Sequence, residues 1–339
     1  MKLIVPMAGR GTRVRPHSHV TPKPLINVCG KSMVERIVDT FMEVLPRPLD
    51  EGVFILGPDF GPEVQQALAQ ICARHDMSPH FAVQDVAKGT AHAVSFASDH
   101  LEGEGIVVFA DTLFYMEPGI DLSEADVVAW VKSVEDPSRF GVAVREGDRI
   151  VALVEKPKEL ISNEALIGIY YVKDLSRLRD AIQYLFDEEL TGVGDEYQLT
   201  DAFDHMLKQG AIFKTAGVTA WLDCGTIQAL YETTMEIVTR ENTPIPESAV
   251  IQSVVIEPAF IAEGARIERS VVGPNVSIES GAVIKESVIR DSIVFSEASI
   301  DNAHLEGSLI GASAEVSGTP AAINIGDHSS ISFSARKAE

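Results

Sequence analysis

At roughly 150 residues per domain, the 339-residue chain divides into about two domains, and 45% hydrophobic residues suffice for packed cores. Fifty acidic against 28 basic residues leave a net charge of −22, which repels nucleic-acid phosphates and anionic membrane surfaces and argues against partners of either kind. No apolar run approaches the 18 or so residues of a membrane span, the first one (Leu3 to Ala8) meets Arg10, Arg13 and Arg15 at once, and Cys29, Cys72 and Cys224 lie too far apart for a disulfide framework or zinc spacing. A cytoplasmic protein without a signal peptide is the expectation.

From the amino end to about Val238, short β-rich runs (Leu3–Met7, Val53–Leu56, Phe81–Gln84, Ile106–Ala110) alternate with amphipathic stretches, the pattern of a parallel α/β sheet. The first long helix is expected from Ser32, with Glu35 three residues later and Val34, Ile37, Val38, Phe41 and Leu45 on one face. Val142–Val144 and Ile150–Val154 flank Glu146-Gly147-Asp148 and predict a β-hairpin in a second, mixed subregion covering one end of the sheet.

Two prolines at Thr243-Pro244-Ile245-Pro246-Glu247 end the last helix and stiffen a linker. Beyond it, apolar residues recur at steps of five or six: Ile256, Ile261, Ile267, Val272, Ile278, Ile284, Ile289, Val294, Ile300, Leu305, Ile310 and Val316. Three such steps make a triangular coil, so a left-handed parallel β-helix of about four turns is expected. The domains are accordingly 1–242, 248–318, and a small polar tail, 319–339, in which Ile323, Ile325, Ile331 and Phe333 cap the last coil.

The first strand runs into Ala8-Gly9-Arg10-Gly11-Thr12-Arg13, a turn whose backbone N–H groups and arginine suit a phosphate. It matches neither the dinucleotide fingerprint nor the P-loop, since no third glycine and no Gly-Lys-Ser/Thr follows. Downstream, Pro22 and Pro24 hold Lys23 rigidly. Asp111 stands just past an apolar strand, at a carboxyl end of the sheet where ligands of open α/β folds collect.

Gly9-Arg10-Gly11-Thr12-Arg13 with Pro22-Lys23-Pro24 resembles the signature of sugar-1-phosphate nucleotidylyltransferases, enzymes that join a nucleoside triphosphate to a sugar 1-phosphate and release pyrophosphate. The similarity continues in order through Gln84–Val94, Ala110-Asp111, Phe140-Gly141-Val142, Val154-Glu155-Lys156-Pro157, Gly168-Ile169-Tyr170 and Trp221-Leu222-Asp223-Cys224-Gly225. It covers about the first 240 residues, implies a Rossmann-like nucleotidyltransferase sheet, and an appended β-helix is found in many members. Ala110 stands where the family often has Gly, Thr112 where Asn is common and Cys224 where Thr is common.

The resemblance implies that Arg13, Lys23, Asp111, Lys156 and Asp223 carry the chemistry, with Asp111 and Asp223 holding Mg²⁺. Arg13 would neutralise departing pyrophosphate and Lys23 would bridge the α-phosphate and the sugar phosphate. The attacking phosphate oxygen is already anionic, so no general base is needed. The obstacle is repulsion, about 4 kcal/mol per pair of unit charges at about 4 Å and an effective dielectric near 20. Ala8, Gly9, Gly11, Thr12, Gln84, Gly89 and Thr90 would bind the nucleotide. A glutamine amide both donates and accepts, as a uracil or thymine edge requires. Gly141, Glu155, Lys156 and Tyr170 would bind the sugar.

Plainer readings stand beside these. Gln84 also fits as a polar strand end, Gly89-Thr90 as a helix entry, Tyr170 as core, His92 as a packed histidine, Arg10 and Arg15 as solvated cations, and Glu196 as either sugar ligand or surface acid. Cys72 and His75 lack further ligands for a metal. The favoured reaction is dTTP or UTP with glucose 1-phosphate, with glucose-1-phosphate thymidylyl transfer first. ATP or GTP (giving ADP-glucose or GDP-mannose) and a non-catalytic nucleotide-sugar-binding paralogue remain open. A β-helix acyltransferase is disfavoured because only His304 lies inside the coils, and homo-oligomerisation through the coil faces is expected.

Overall fold

The structure, a computed structural model, describes residues 1–9, 11–318 and 323–332. Arg10, residues 319–322 and the end of the expected cap, including Phe333, lie outside the described residues. In chain order the elements are β1 (Lys2–Pro6), β2 (Asn27–Val28), β3 (Lys31–Ser32), α1 (Met33–Val44), β4 (Glu51–Leu56), α2 (Pro62–Arg74), β5 (Ser78–Val83), α3 (Thr90–Ser95) and β6 (Gly105–Val108). Then come β7 (Thr112–Tyr115), β8 (Val127–Ser133), β9 (Gly141–Glu146), β10 (Arg149–Glu155), β11 (Glu164–Val172), α4 (Leu175–Asp187), α5 (Leu199–Lys208), β12 (Phe213–Gly217), β13 (Ala220–Asp223) and α6 (Ile227–Glu241). The chain forms two compact units, Met1–Gly9 with Glu35–Trp221, and Arg10–Val34 with Leu222–Glu339, a partition that does not follow the proline linker.

The first unit is built on a sheet of nine strands among the described residues, in the order β5-β4-β1-β6-β11-β8-β12-β10-β9. β5, β4, β1 and β6 run parallel, as helices between strands require. The sheet as a whole is mixed, not parallel: β11 is antiparallel to both β6 and β8. The reason is local, because β11 follows the β9–β10 hairpin instead of a crossover helix. That hairpin turns at Gly147, whose φ of 65° suits glycine, and extends the same sheet at its edge. α1 starts at Met33 and buries Ile37, Val38 and Phe41. On the other face Ile4, Val53, Val107, Ala129, Leu178 and Phe203 share one core.

In the second unit α6 opens with Thr226 Oγ1 accepting from Ala229 N and closes on Asn242 in the left-handed region, ahead of Pro244. The coil follows, with strands stacking in parallel on three faces. One ladder reads Val250, Ile267, Ile284, Ile300, Val316, Ile331, at 15 to 17 residues per turn. Ile267, Ile278, Ile284, Ile289, Ile300, Leu305 and Ile310 line one continuous core. Ile256 does not belong to it: it is 42% exposed, and Val255 pairs with Val272 in its place. A one-residue change of phase moves a strand side chain to the other face. The coil also runs further than the four turns expected, since Asn324–Ile325 and Ser330–Ser332 add strands beyond Gly318 and Ile325 is buried inside.

Candidate active site

Parallel strands end together, and the topology of the first unit uses this to gather several of the expected residues. Met7 N donates to Ile55 O and Gln84 N to Leu56 O, while Phe109 N donates to Gly168 O, so the chain leaving β1, β5 and β6 emerges along one edge. Ala8, Gly9, Gln84 and half-buried Asp111 therefore lie on that carboxyl edge. The amino half of β11 reaches past the end of β6, Ile169 being paired with Val108, and Val142 of β9 pairs with Ala165. Gly141 and Glu155, opposite each other in the hairpin, join the same edge.

Gln84 is buried at 6% exposure, and its Nε2 donates to His92 Nδ1 at 3.0 Å. His92 packs edge-on against Phe96 and Phe186, and burial, then Lys88, holds its pKa below 6.5. It is a packed histidine, but one that orients the glutamine expected to read the base. Gly89 has φ 110°, and a Cβ there would lie 2.4 Å from Tyr197 O. The backbone approach that needs glycine is thus to Tyr197, whose N donates to Lys88 O and whose O accepts from Ala91 N. Gly89-Thr90 is a helix entry, Thr90 being the first residue of α3, but the Thr90 side chain serves another helix. Its hydroxyl accepts from Leu199 N at 2.8 Å and donates to Gln198 Oε1, capping the next helix in space, α5.

Around the expected sugar residues, Glu155 Oε2 accepts from Thr200 Oγ1 at 2.8 Å and Oε1 lies 3.5 Å from Lys156 Nζ. A Cβ on Gly141 would stand 2.9 Å from Glu155 Oε2, so the glycine makes room for that carboxylate. Asp201 next to Thr200 is a half-buried acid whose pKa is raised, first by burial and then by Glu155. Thr200 and Asp201 carry no signal in the sequence, being 45 residues from Glu155 on an ordinary amphipathic helix. Tyr170 is a core residue, 3% exposed and tilted against Phe203 with ring centroids 4.6 Å apart, its phenol pushed up by burial and by Glu155. Exposed Glu196 is bonded to Gln198 Nε2 at 3.0 Å.

In the second unit the cationic turn and the proline-flanked lysine form one structure. Gly11 has φ 60°, and a Cβ there would lie 2.7 Å from Lys23 Cβ, so only glycine lets the lysine stem pack against the turn. Ser18 Oγ donates to Gly11 O at 2.6 Å, and Lys23 sits in a 3₁₀ turn entered through Pro22, 6% exposed. Thr12, Arg13 and Arg15 are exposed. Asp223 is exposed too, with Oδ1 accepting from Gly225 N at 2.7 Å; a Cβ on Gly225 would stand 3.5 Å from Arg13 Nη2. Arginine and carboxylate thus flank one backbone step. Cys224 is buried.

Residues 2–240 match the family model described as nucleotidyl transferase, and residues 236–319 match one described as GlmU-like, C-terminal hexapeptide. A glucose-1-phosphate thymidylyltransferase of Streptomyces antibioticus is 28% identical over 98% of this chain and 99% of its own length. A bifunctional protein GlmU of Methanococcus aeolicus is 27% identical over 78% of this chain and 60% of its own length. In fold, the chain is similar to a crystal structure described as a putative glucose-1-phosphate thymidylyltransferase from Bacillus anthracis. The TM-score is 0.57 at 24% identity, covering 73% of this chain and 97% of that one.

Proposed function

The chain belongs to the nucleotidyl transferase family and is a sugar-1-phosphate nucleotidylyltransferase, and we propose that it joins dTTP or UTP to glucose 1-phosphate with release of pyrophosphate. The observation that carries this is the close packing of Gly11 on Lys23, which makes the Gly-Arg-Gly-Thr-Arg turn and the lysine a single cationic device. In the reaction an oxygen of the sugar phosphate attacks the α-phosphorus and the bond to the departing pyrophosphate breaks. All reacting groups are anions, so positioning and charge neutralisation supply the catalysis.

Arg13, exposed and able to present a forked guanidinium, takes the pyrophosphate, and Lys23 offers a point charge to the α-phosphate and the incoming phosphate. Lys156, 3.5 Å from Glu155, takes the sugar phosphate, and Glu155 accepts from sugar hydroxyls with its orientation fixed by Thr200. Gln84, oriented by His92, reads a pyrimidine edge. Asp111 and Asp223 offer only carboxylate oxygens, the donor set Mg²⁺ requires, and are the residues that would hold it. When bound, that cation neutralises phosphate charge.

The mass of the product formed from glucose 1-phosphate and an equimolar mixture of nucleoside triphosphates tests the choice of base. A thymidine or uridine diphosphate sugar is expected, and a purine product would overturn it. We further infer self-association through the coil, supported by the exposed ladder Val254, Val271, Val288, stacked in register on one face. A light-scattering mass of a single chain would remove that inference.

A further inference from the structure

At the amino ends of the parallel strands, the opposite end of the sheet from Gln84 and Asp111, stands a cluster that the nucleotidyl-transfer chemistry does not use. Glu51 is the first residue of β4 and His80 the third of β5. In the register that pairs Val53 with His80, strand alternation puts Glu51, Val53 and His80 on one face. The segment after α3 covers that face, burying Ala97 and Leu101 in the core, and its short 3₁₀ turn Ser98–His100 brings His100 over the same end. His80 Nε2 lies 3.3 Å and His100 Nδ1 3.9 Å from the same oxygen, Glu51 Oε2. The two imidazoles are tilted by 37° with centroids 4.3 Å apart, and one ligand atom from each of the three residues lies within 4.8 Å of the others.

From these positions we propose that Glu51, His80 and His100 form a binding site for a divalent transition-metal ion such as Zn²⁺, distinct from the catalytic carboxylates. Two imidazole nitrogens and one carboxylate oxygen are borderline donors that favour Zn²⁺, Co²⁺ or Ni²⁺ over Mg²⁺. Ligands at metal distances of about 2.0–2.2 Å in a tetrahedron stand about 3.3–3.5 Å from one another. The 3.3 Å pair already fits, and the 3.9 Å pair needs a small side-chain adjustment. All three side chains are about one-third exposed, which leaves an approach for the ion and room for water in the remaining position.

Lys2 is the one cation the structure places beside the cluster, among the described residues. Its Nζ lies 4.0 Å from Glu51 Oε1, the oxygen turned away from the imidazoles, and donates to His100 O at 3.1 Å. It supports His100 from behind while competing for the carboxylate's charge. An ion here joins β4, β5 and the turn after α3, so it acts as a clip on the sheet end, apart from turnover.

The test is zinc titration of the full-length chain by calorimetry with Mg²⁺ in excess, alongside melting curves with and without zinc. One equivalent is expected to bind wild type and raise its melting temperature. That equivalent is lost in His80→Ala and in His100→Ala, whose partly exposed positions tolerate alanine, and binding tightens in Lys2→Ala. No stoichiometric zinc on wild type under excess Mg²⁺, or the same stoichiometry in the His80→Ala/His100→Ala double variant, would overturn the proposal.

Discussion

Gln84 Nε2 donates to Nδ1 of His92 across 3.0 Å, so the residue proposed to read the base is aimed by an imidazole that must be neutral to accept. Burial and Lys88 hold the folded pKa of His92 below 6.5, so the unfolded chain takes up the proton first as pH falls. The contribution of the pair is therefore complete above pH 6.5 and is lost progressively below it. The KM for the nucleotide should rise as pH drops below 6.5. In His92→Phe, which keeps the aromatic packing and removes the acceptor, KM should be raised roughly fivefold, the weight of about 1 kcal/mol, and should flatten with pH. A wild-type KM that does not change over this range contradicts the coupling.

Glu279, 1% exposed between the coil and the β2–β3 turn, presents Oε1 and Oε2 to Gly30 N at 3.0 and 3.2 Å and lies 3.4 Å from Asn27 Nδ2. It ties the β2–β3 turn, in the segment that carries Arg13 and Lys23, to the β-helix. Removing the carboxylate takes away the acceptor of Gly30 N, a hydrogen bond to a charged group worth about 1.5–3 kcal/mol. Glu279→Ala should lower the melting temperature and also reduce kcat, measured below the melting point. Unchanged turnover would confine Glu279 to stability.

Thr200→Val should raise the KM for the sugar 1-phosphate several-fold while leaving the KM for the nucleotide alone, because only the orientation of Glu155 is lost. Steady-state kinetics with each substrate varied in turn separates the two. Equal effects on both substrates would place Glu155 outside the sugar site.

Gly89→Ala meets the Tyr197 backbone at 2.4 Å in a positive-φ conformation. A loss of about 1–3 kcal/mol in denaturant unfolding is expected, with weaker nucleotide binding as the 85–90 loop shifts. A neutral result would mean that the loop yields without strain.

The residues the sequence exposes best are those whose type is forced by backbone geometry. Gly11, Pro22 and Pro24 announced a rigid cationic turn, and Gly11 does pack on Lys23. The coil was legible because each turn repeats the same inward position. Its phase was not legible at Val254-Val255-Ile256, where three β-branched residues in a row allow either register. β11 is buried on both faces along nearly its whole length, so no alternation marks Tyr170 as core instead of pocket lining. The direction of β11 depends on the hairpin before it, which composition does not reveal. Thr90 and Thr200 owe their roles to partners 109 and 45 residues away, a relationship that no local pattern encodes.

Asp111→Asn and Asp223→Asn should each lower turnover by at least about a hundredfold with little change in melting temperature, since Asp223 is exposed and Asp111 only half-buried. Near-normal rates in either variant would remove that carboxylate from the metal site.

Mg²⁺-dependent pyrophosphate release from glucose 1-phosphate, with dTTP, UTP, ATP, CTP and GTP assayed in parallel, tests the proposed reaction most directly. Release with dTTP or UTP, abolished by chelation and by Lys23→Ala, is the expected result. Release with neither pyrimidine, or release that survives both treatments, would contradict it.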